Sequence, residues 1–245
     1  MDIHLVQVPV SVPSLHRWAG RRFGGVIDEG QVLHHLLGEL FGPSVLQPFR
    51  LLVAPRAQSG TIFAYSYRSA NDLIAQADLT ATPDLLAALP VADIVSIPRP
   101  VSTWKAGQRI GFDLRVRPVV RIHSAIVGQD AGGQDIAIPK GSEIDAFLAA
   151  ILRNRETTRE ATYHDWLAKR ITGATLDPEA TRMVSYQRNK IIRNRRSLDG
   201  PDVVFHGTMT VTEPDAFAAM LAKGIGRHRT YGYGMLLLRP AQRVR

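Results

Sequence analysis

The stretch that most constrains this chain lies near its C-terminus, Gly224-Ile-Gly-Arg-His-Arg-Thr-Tyr-Gly-Tyr-Gly-Met-Leu-Leu-Leu-Arg-Pro240. A helix should end at its first glycine. Pro214 opens that helix, Phe217, Met220 and Leu221 share one face, and Gly224 suits the left-handed position after the last turn. Met235 to Leu238 is too short for a helix of its own and reads as a buried strand. The loop therefore runs from helix to strand. A dinucleotide fingerprint needs the reverse order, so that phosphate meets a helix N-terminus, and no Gly-Lys-Ser/Thr is present to make a P-loop. What remains is Lys223, Arg227, His228 and Arg229 set among Gly224, Gly226, Gly232 and Gly234, with no acid between them. Free backbone N–H groups beside arginines suit a chain of phosphates. The alternative is a glycine-rich turn whose arginines are merely solvated.

Charge separates these readings. The chain carries a formal net charge of +8, spread unevenly. Between Thr181 and Leu198 stand Arg182, Arg188, Lys190, Arg193, Arg195 and Arg196 with no acid, and Ala219 to Arg245 is likewise acid-free and basic. Arginine dominates both blocks, and its planar fork matches phosphate better than the point charge of lysine does. Two such blocks favour a polyanionic partner. Neither sits on a strongly amphipathic helix, which argues against a membrane surface, and no apolar run approaches the ~20 residues of a membrane span. The N-terminus alternates like a strand rather than like a signal peptide. With no cysteine, disulfides and thiolate zinc sites are excluded and the cytoplasm is the default compartment.

In chain order, Ile3 to Val10 reads as a strand and Ser14 to Gly25 as a basic, glycine-punctuated loop. Asp28 to Phe41 is a helix with Val32, Leu33, Leu36, Leu37, Leu40 and Phe41 on its apolar side. On that wheel His34 lies at the margin of the apolar face and His35 on the opposite side. Two strands (Arg50 to Ala54, Thr61 to Tyr67), a helix from Ser69 and a strand from Asp93 to Ile97 complete a β-α-β-β-α-β order, the ferredoxin-like arrangement shared by RNA-recognition folds. The boundary falls in Pro98 to Gly107, giving residues 1–100 and 101–245 as two domains. Arg109 to Ile122 then reads as one strand with a basic face that brings Arg115, Arg117 and Arg121 to one groove. Gly128 to Pro139 reads as a turn, Glu143 to Arg155 and Ala161 to Ile171 as helices, and Asp177 to Ser197 as a hairpin or extended arm. Without the insertion at about 141–200, the second half repeats the β-α-β-β-α-β pattern. The fold class is α+β, with two tandem ferredoxin-like domains and the glycine-rich loop at 224–234.

Three stretches together resemble the CasE-type CRISPR repeat-RNA endoribonucleases. In Val32-Leu-His34-His-Leu-Leu-Gly-Glu-Leu-Phe41 a His precedes a Phe by seven positions, as in the family's first helix. Phe112-Asp-Leu-Arg115-Val-Arg117-Pro118 is similar to its Phe-x-Leu-Arg-x-x-Pro strand, and Gly224-Ile-Gly226 through Gly232-Tyr-Gly234-Met-Leu-Leu-Leu to its Gly-Ile-Gly…Gly-x-Gly-Leu-Leu signature. The resemblance spans nearly the whole chain and is loosest from Gly128 to Arg196. It implies metal-free cleavage of a precursor CRISPR RNA stem-loop with no cofactor. The 2′-hydroxyl of a nucleotide attacks the adjacent phosphate, leaving 2′,3′-cyclic phosphate and 5′-hydroxyl ends. It also implies retention of the product RNA within a class 1 effector complex.

By the same resemblance His34 is the catalytic histidine, and an unperturbed imidazole pKa near 6.5 suits both base and acid roles. A tyrosine found one turn earlier in some members is Gln31 here, and the segment before the helix is unusually arginine-rich. Some type IV members share that form, so a site built on Arg21, Arg22 and Arg243 stands as a variant. Its catalysis would rest on positioning and electrostatics, since a guanidinium is a poor base. The basic arm from Arg182 to Arg196 suits an A-form duplex, and Tyr186, Tyr231 and Tyr233 are candidates to stack on unpaired bases. A non-catalytic RNA-hairpin-binding subunit of the same fold is the competing reading.

Overall fold

The computed structural model describes residues 2–241 apart from 25–27, 130–132, 154 and 194–195. Its N-terminal half runs β1 (Ile3–Ser11), α1 (Val12–Phe23), α2 (Glu29–Phe41), β2 (Phe49–Val53), β3 (Ser59–Ser66), α3 (Ala70–Thr80), α4 (Pro83–Ala88) and β4 (Val95–Arg99). The antiparallel sheet has the order β2-β3-β1-β4. The alternation of β1 fixes its two faces. Val6, Val8 and Val10 enter a core with Leu33, Leu36 and Leu40 of α2, while Ile3 and Leu5 point the other way and join the core of the second half.

That second half runs β5 (Arg109–Val116), β6 (Val119–Arg121), β7 (Ile126–Gln129), β8 (Asp135–Ile138), β9 (Glu143–Asp145), α5 (Ala146–Ile151), α6 (Arg159–Ala168), β10 (Ala174–Leu176), β11 (Arg182–Arg193), β12 (Arg196–Val211), α7 (Pro214–Lys223) and β13 (Leu236–Arg239). Its sheet order, β10-β12-β5-β13, repeats that of the first half, with first strand beside third and fourth on the outside. The tandem ferredoxin-like architecture is therefore present. Phe112, Leu114 and Val116 of β5 pack with Phe205 of β12, Phe217 and Leu221 of α7, and Trp166 and Leu167 of α6. β12 is long because it serves three partners, β5 along one edge and the hairpin strand β11 and then β10 along the other. The arm is thus a hairpin rooted in the sheet.

In the segment expected to be a basic loop, Ser14 to Gly25, residues 14–23 instead belong to helix α1, and Gly25 lies outside the described residues. Leu15, Trp18 and Ala19 are buried at i, i+3, i+4 spacing and Pro13 sits in the first turn, so burial outweighs an exposed Gly20 that costs only about 1 kcal/mol. The strand expected from Arg109 to Ile122 is two strands, since Pro118 has no N–H to continue the ladder. Glu143 to Asp145, expected to be helical, pairs with β6 instead. Asp145 then caps α5 by accepting from the Phe147 N–H at 2.8 Å. The expected turn at Gly128 to Pro139 is the hairpin β7–β8, closed over a small cluster of Ile122, Ile126, Ala149 and Leu152.

The two sheets meet over a buried ion cluster. Asp113 lies on the face of β5 turned away from the apolar core. Its carboxylate accepts from Arg50 of β2, from Arg239 of β13 and from His206 of β12, the last at 2.9 Å. Nearby, Tyr65 of β3 donates its hydroxyl to the Leu236 carbonyl at 3.0 Å. Asp113 is 3% exposed and Arg50 8%, so removing the carboxylate strands a buried cation. Asp113→Asn is expected to lower the unfolding free energy by about 3–5 kcal/mol in urea denaturation. A loss under about 1 kcal/mol would place this cluster among surface-type pairs.

Candidate nucleic-acid interface

The N-terminus of α2 and the glycine loop come together from opposite ends of the sequence. Asp28 caps α2 by accepting from the Gln31 N–H at 3.2 Å. Two residues further on, a Cβ at Gly30 would lie 2.6 Å from the Tyr231 carbonyl oxygen. Only glycine permits that approach. The loop is closed by its own backbone: Ile225 N–H donates to the Gly234 carbonyl at 2.8 Å and Gly234 N–H to the Arg115 carbonyl at 2.7 Å. Gly226 has φ +80° and faces the Trp166 ring, where a Cβ would come within 2.7 Å. These contacts hold Tyr231, on a 3-10 turn spanning Arg229–Tyr231, with its ring 5.5 Å from that of His34.

His34 and His35 both line a cavity of about 240 Å³ with Glu39, Gln47 and Phe49. The wheel placed His35 on the opposite side of α2, but its ring leans 5.3 Å from Phe23 of α1 and 5.4 Å from His34. The sequence reading missed it because it treated the segment before α2 as a loop, leaving nothing for His35 to pack on. Burial, and next the positive charge of His35, push the His34 pKa below its ordinary value of 6.5. At neutral pH His34 is therefore an uncharged imidazole with a lone pair to accept a proton.

The arginines proposed for chemistry lie at differing distances from this cavity. Arg22 pairs with Glu39 at 2.9 Å, on the cavity's edge. Arg21 pairs with Asp84 of α4 at 2.6 Å, away from His34. Both pairs are exposed, so each contributes only about 0–1 kcal/mol and gives way readily to a stronger anion. Arg243 lies outside the described residues.

The expected binding residues fall into three groups. Arg115, Arg117 and Arg121 do not share a groove, because Pro118 breaks their strand. Arg115 makes a two-pronged pair with Asp202 at 2.9 and 2.6 Å and stacks 4.6 Å above the buried Tyr233 ring. Arg117 is 2% exposed, donating to the carbonyls of Asn189 and Leu198 on the two strands of the hairpin at 3.1 Å. Arg121 is exposed. In the glycine loop, His228 is buried and bonds Glu143 at 2.5 Å, and Arg227 bonds the other carboxylate oxygen at 2.5 Å. Burial opposes ionisation of Glu143, but His228, Arg227 and Arg117 outweigh it and hold the carboxyl below its usual range. His228 is thus an anchor of the loop, and Glu143 is a functional partner that no sequence motif marked. Lys223 and Arg227 are exposed, with Arg229 half-buried and donating to the Lys223 carbonyl.

On the hairpin, Arg182, Arg188 and Lys190 are exposed, and Arg188 pairs with Asp199 at 2.8 Å. Lys190 also lines a cavity of about 270 Å³ that reaches Arg115 and Tyr231. Arg193 and Arg196 pair in register at the hairpin's end, and Arg195 lies outside the described residues. Of the three tyrosines, Tyr186 lies under the Arg159 guanidinium at 4.5 Å, Tyr233 is covered by Arg115, and Tyr231 is half-buried at the cavities. Among the described residues no helix is long and apolar enough to cross a membrane, and no group of three or more His, Asp or Glu is placed to hold a metal ion.

Paired ferredoxin-like sheets define a fold that solved structures share. Cse3 of Thermus thermophilus, bound to an RNA representing a pre-cleavage complex, superposes with a TM-score of 0.62 at 19% identity, covering 98% of this chain and 100% of that one. Cas6e of Escherichia coli K-12 gives a TM-score of 0.59 at 17% identity, covering 97% and 99%. A chain of a CRISPR RNA-guided surveillance complex in a pre-nicking state gives 0.50 at 13% identity, covering 98% and 100%. No curated protein matches in sequence. The pattern of the family described as CRISPR associated protein matches residues 3–240. The chain belongs to that family, in the CasE-type fold.

The His34–His35 pair makes a direct electrostatic prediction. In His35→Ala the charge that helps depress His34 is gone, so the His34 titration midpoint, followed by imidazole C–H NMR shifts, should rise towards about 6.5. An unchanged midpoint would assign the whole depression to burial.

Proposed function

We propose that this protein is an endoribonuclease that binds the repeat stem-loop of precursor CRISPR RNA and cuts it without a metal. The observation that carries the reading is the position of His34 beside Tyr231, where α2 meets a basic glycine loop and burial pushes the imidazole pKa down. The chemistry asks for little else. His34 takes the proton of a 2′-hydroxyl, and the 2′-oxygen forms a bond to the adjacent phosphorus as the bond to the 5′-oxygen breaks. The departing oxygen takes up a proton, so the reaction consumes no water and leaves 2′,3′-cyclic phosphate and 5′-hydroxyl ends. Cations close to the scissile phosphate stabilise its added charge, and Arg22, paired with Glu39 of the His34 cavity, is a candidate. Arg21, Arg22 and Arg243 would carry an arginine-only version through positioning and electrostatics.

RNA recognition is assigned to two surfaces. The hairpin of β11 and β12 presents Arg182, Arg188 and Lys190 to the duplex backbone, and the glycine loop presents Lys223, Arg227 and Arg229. Residues 1–100 and 101–245 are proposed as the domain units. The mature guide RNA stays bound, and the protein serves as a subunit of a class 1 effector complex; the surveillance-complex chain of similar fold supports that assignment.

The test is cleavage of a labelled repeat stem-loop in EDTA under single-turnover conditions. His34→Ala should slow the cut by roughly 10²–10⁴-fold while affinity stays within about twofold. Wild-type cleavage by His34→Ala would sink the assignment of the base. Binding without any cut by the wild-type protein would leave an RNA-hairpin-binding subunit in its place.

A further inference from the structure

A second groove lies on the helical side of the C-terminal half, outside the His34 cavity. Its volume is about 760 Å³, against about 240 Å³ at His34. One wall carries Arg121 of β6 with Arg153 and Arg155 beyond α5, and the opposite wall is the outer side of the glycine loop. On the floor the Arg170 guanidinium lies 4.1 Å from the centre of the Trp166 ring and donates to the Trp166 carbonyl. Eight Arg and Lys side chains line the groove against one acid, Asp165, and Asp165 is paired with Lys169 at 2.6 Å.

Among the described residues Arg121, Arg153, Arg155 and Arg170 have no carboxylate partner. Burial with no compensating acid pushes the Arg170 pKa down, so an anion placed there would restore what desolvation removes. Shared lining residues also link the groove to the His34 cavity. Gly226, Arg227 and Arg229 line both this groove and a cavity of about 350 Å³ over the glycine loop, which includes Gln47 and Tyr231. Gln47 in turn lines the His34 cavity. A chain leaving His34 can pass Gln47, cross the loop beside Arg227 and Arg229 and enter the groove.

We propose that this groove holds the unpaired RNA strand on one side of the cut. The inference rests on the endoribonuclease reading and deepens it: the protein grips the flank of the stem-loop as well as the stem. Size selects a single strand. Cavities of roughly 300–1,000 Å³ close around one or two nucleotide-sized units, whereas an A-form duplex can only ride across the rim. Chemistry selects backbone over sequence. Trp166 is buried beneath Arg170 and offers no bare ring for a base, so the flank is recognised through its phosphates and the stem supplies specificity.

Affinity separates the outcomes. In a His34→Ala background, the repeat stem-loop alone is compared with the same stem-loop extended by about ten unpaired nucleotides at either end. At least one extension should tighten binding by roughly tenfold, and Arg153→Ala/Arg155→Ala/Arg170→Ala should return that ratio to about one and lower the salt slope for the extended RNA by about 2. The double variant Arg153→Ala/Arg155→Ala, confined to exposed positions, should reduce the ratio part of the way and guards against a folding defect at Arg170. Two results overturn the proposal alone: no gain from either extension, or an equal loss on both RNAs in the triple variant. Binding of neither RNA by the unsubstituted groove would bring down the endoribonuclease reading with it.

Discussion

Helix α2 and the glycine loop touch backbone to backbone where Gly30 meets the carbonyl of Tyr231, and the candidate site exists because of that contact. A Cβ at residue 30 would sit 2.6 Å from the carbonyl oxygen, closer than packing allows, so any other residue would push the two elements apart. Separation would remove Tyr231 from His34 and open the half-buried environment that keeps the imidazole neutral. The loop's far side depends on a second close approach, Gly226 on the Trp166 ring. One loop thus forms a wall of the basic groove and, at Tyr231, meets α2 beside His34, and its outer cations lie on the path between the two cavities.

Behind that contact the sheets are fixed by charge as much as by apolar packing. Asp113 gathers Arg50, Arg239 and His206 from three other strands in a buried position, where a lone ion would be costly and a matched cluster specifies one arrangement. Glu143 does the same at the surface, tying His228 and Arg227 to β9. These carboxylates sit where basic residues would otherwise repel one another. Arg117 is buried on two hairpin carbonyls, and most other unmatched cations lie on the hairpin and in the helical groove, where phosphate can neutralise them. That division, acids within and most unmatched arginines without, is how a chain of net charge +8 folds and still presents a polyanion-binding surface.

The fold was legible wherever local chemistry and periodicity agreed. The helix ending at Phe41 with its apolar face, the helix starting at Ser69, and the Pro214 to Gly224 helix with its following strand are all present. What escaped depends on distant partners. α1 hid because Gly20 and its arginines masked the Leu15, Trp18 and Ala19 face, and with it went the packing of His35. Arg115 and Arg117 looked like a basic stripe, but their sense depends on Asp202 and on two hairpin carbonyls far along the chain. His228 and Arg227 looked alike in a glycine-rich loop, and only Glu143 distinguishes the buried anchor from the exposed cation. No local pattern carries those pairings.

The central claim is that the RNA supplies its own nucleophile and the protein supplies a neutral histidine to deprotonate it. Replacing the scissile nucleotide of the repeat stem-loop by its 2′-deoxy form, and measuring both affinity and cleavage with the wild-type protein in EDTA, addresses it most directly. The account predicts unchanged affinity and no cut strand, since the attacking oxygen is gone while every phosphate remains. Cleavage of the deoxy RNA at the same position would contradict it, because the nucleophile would then have to come from water or from the protein.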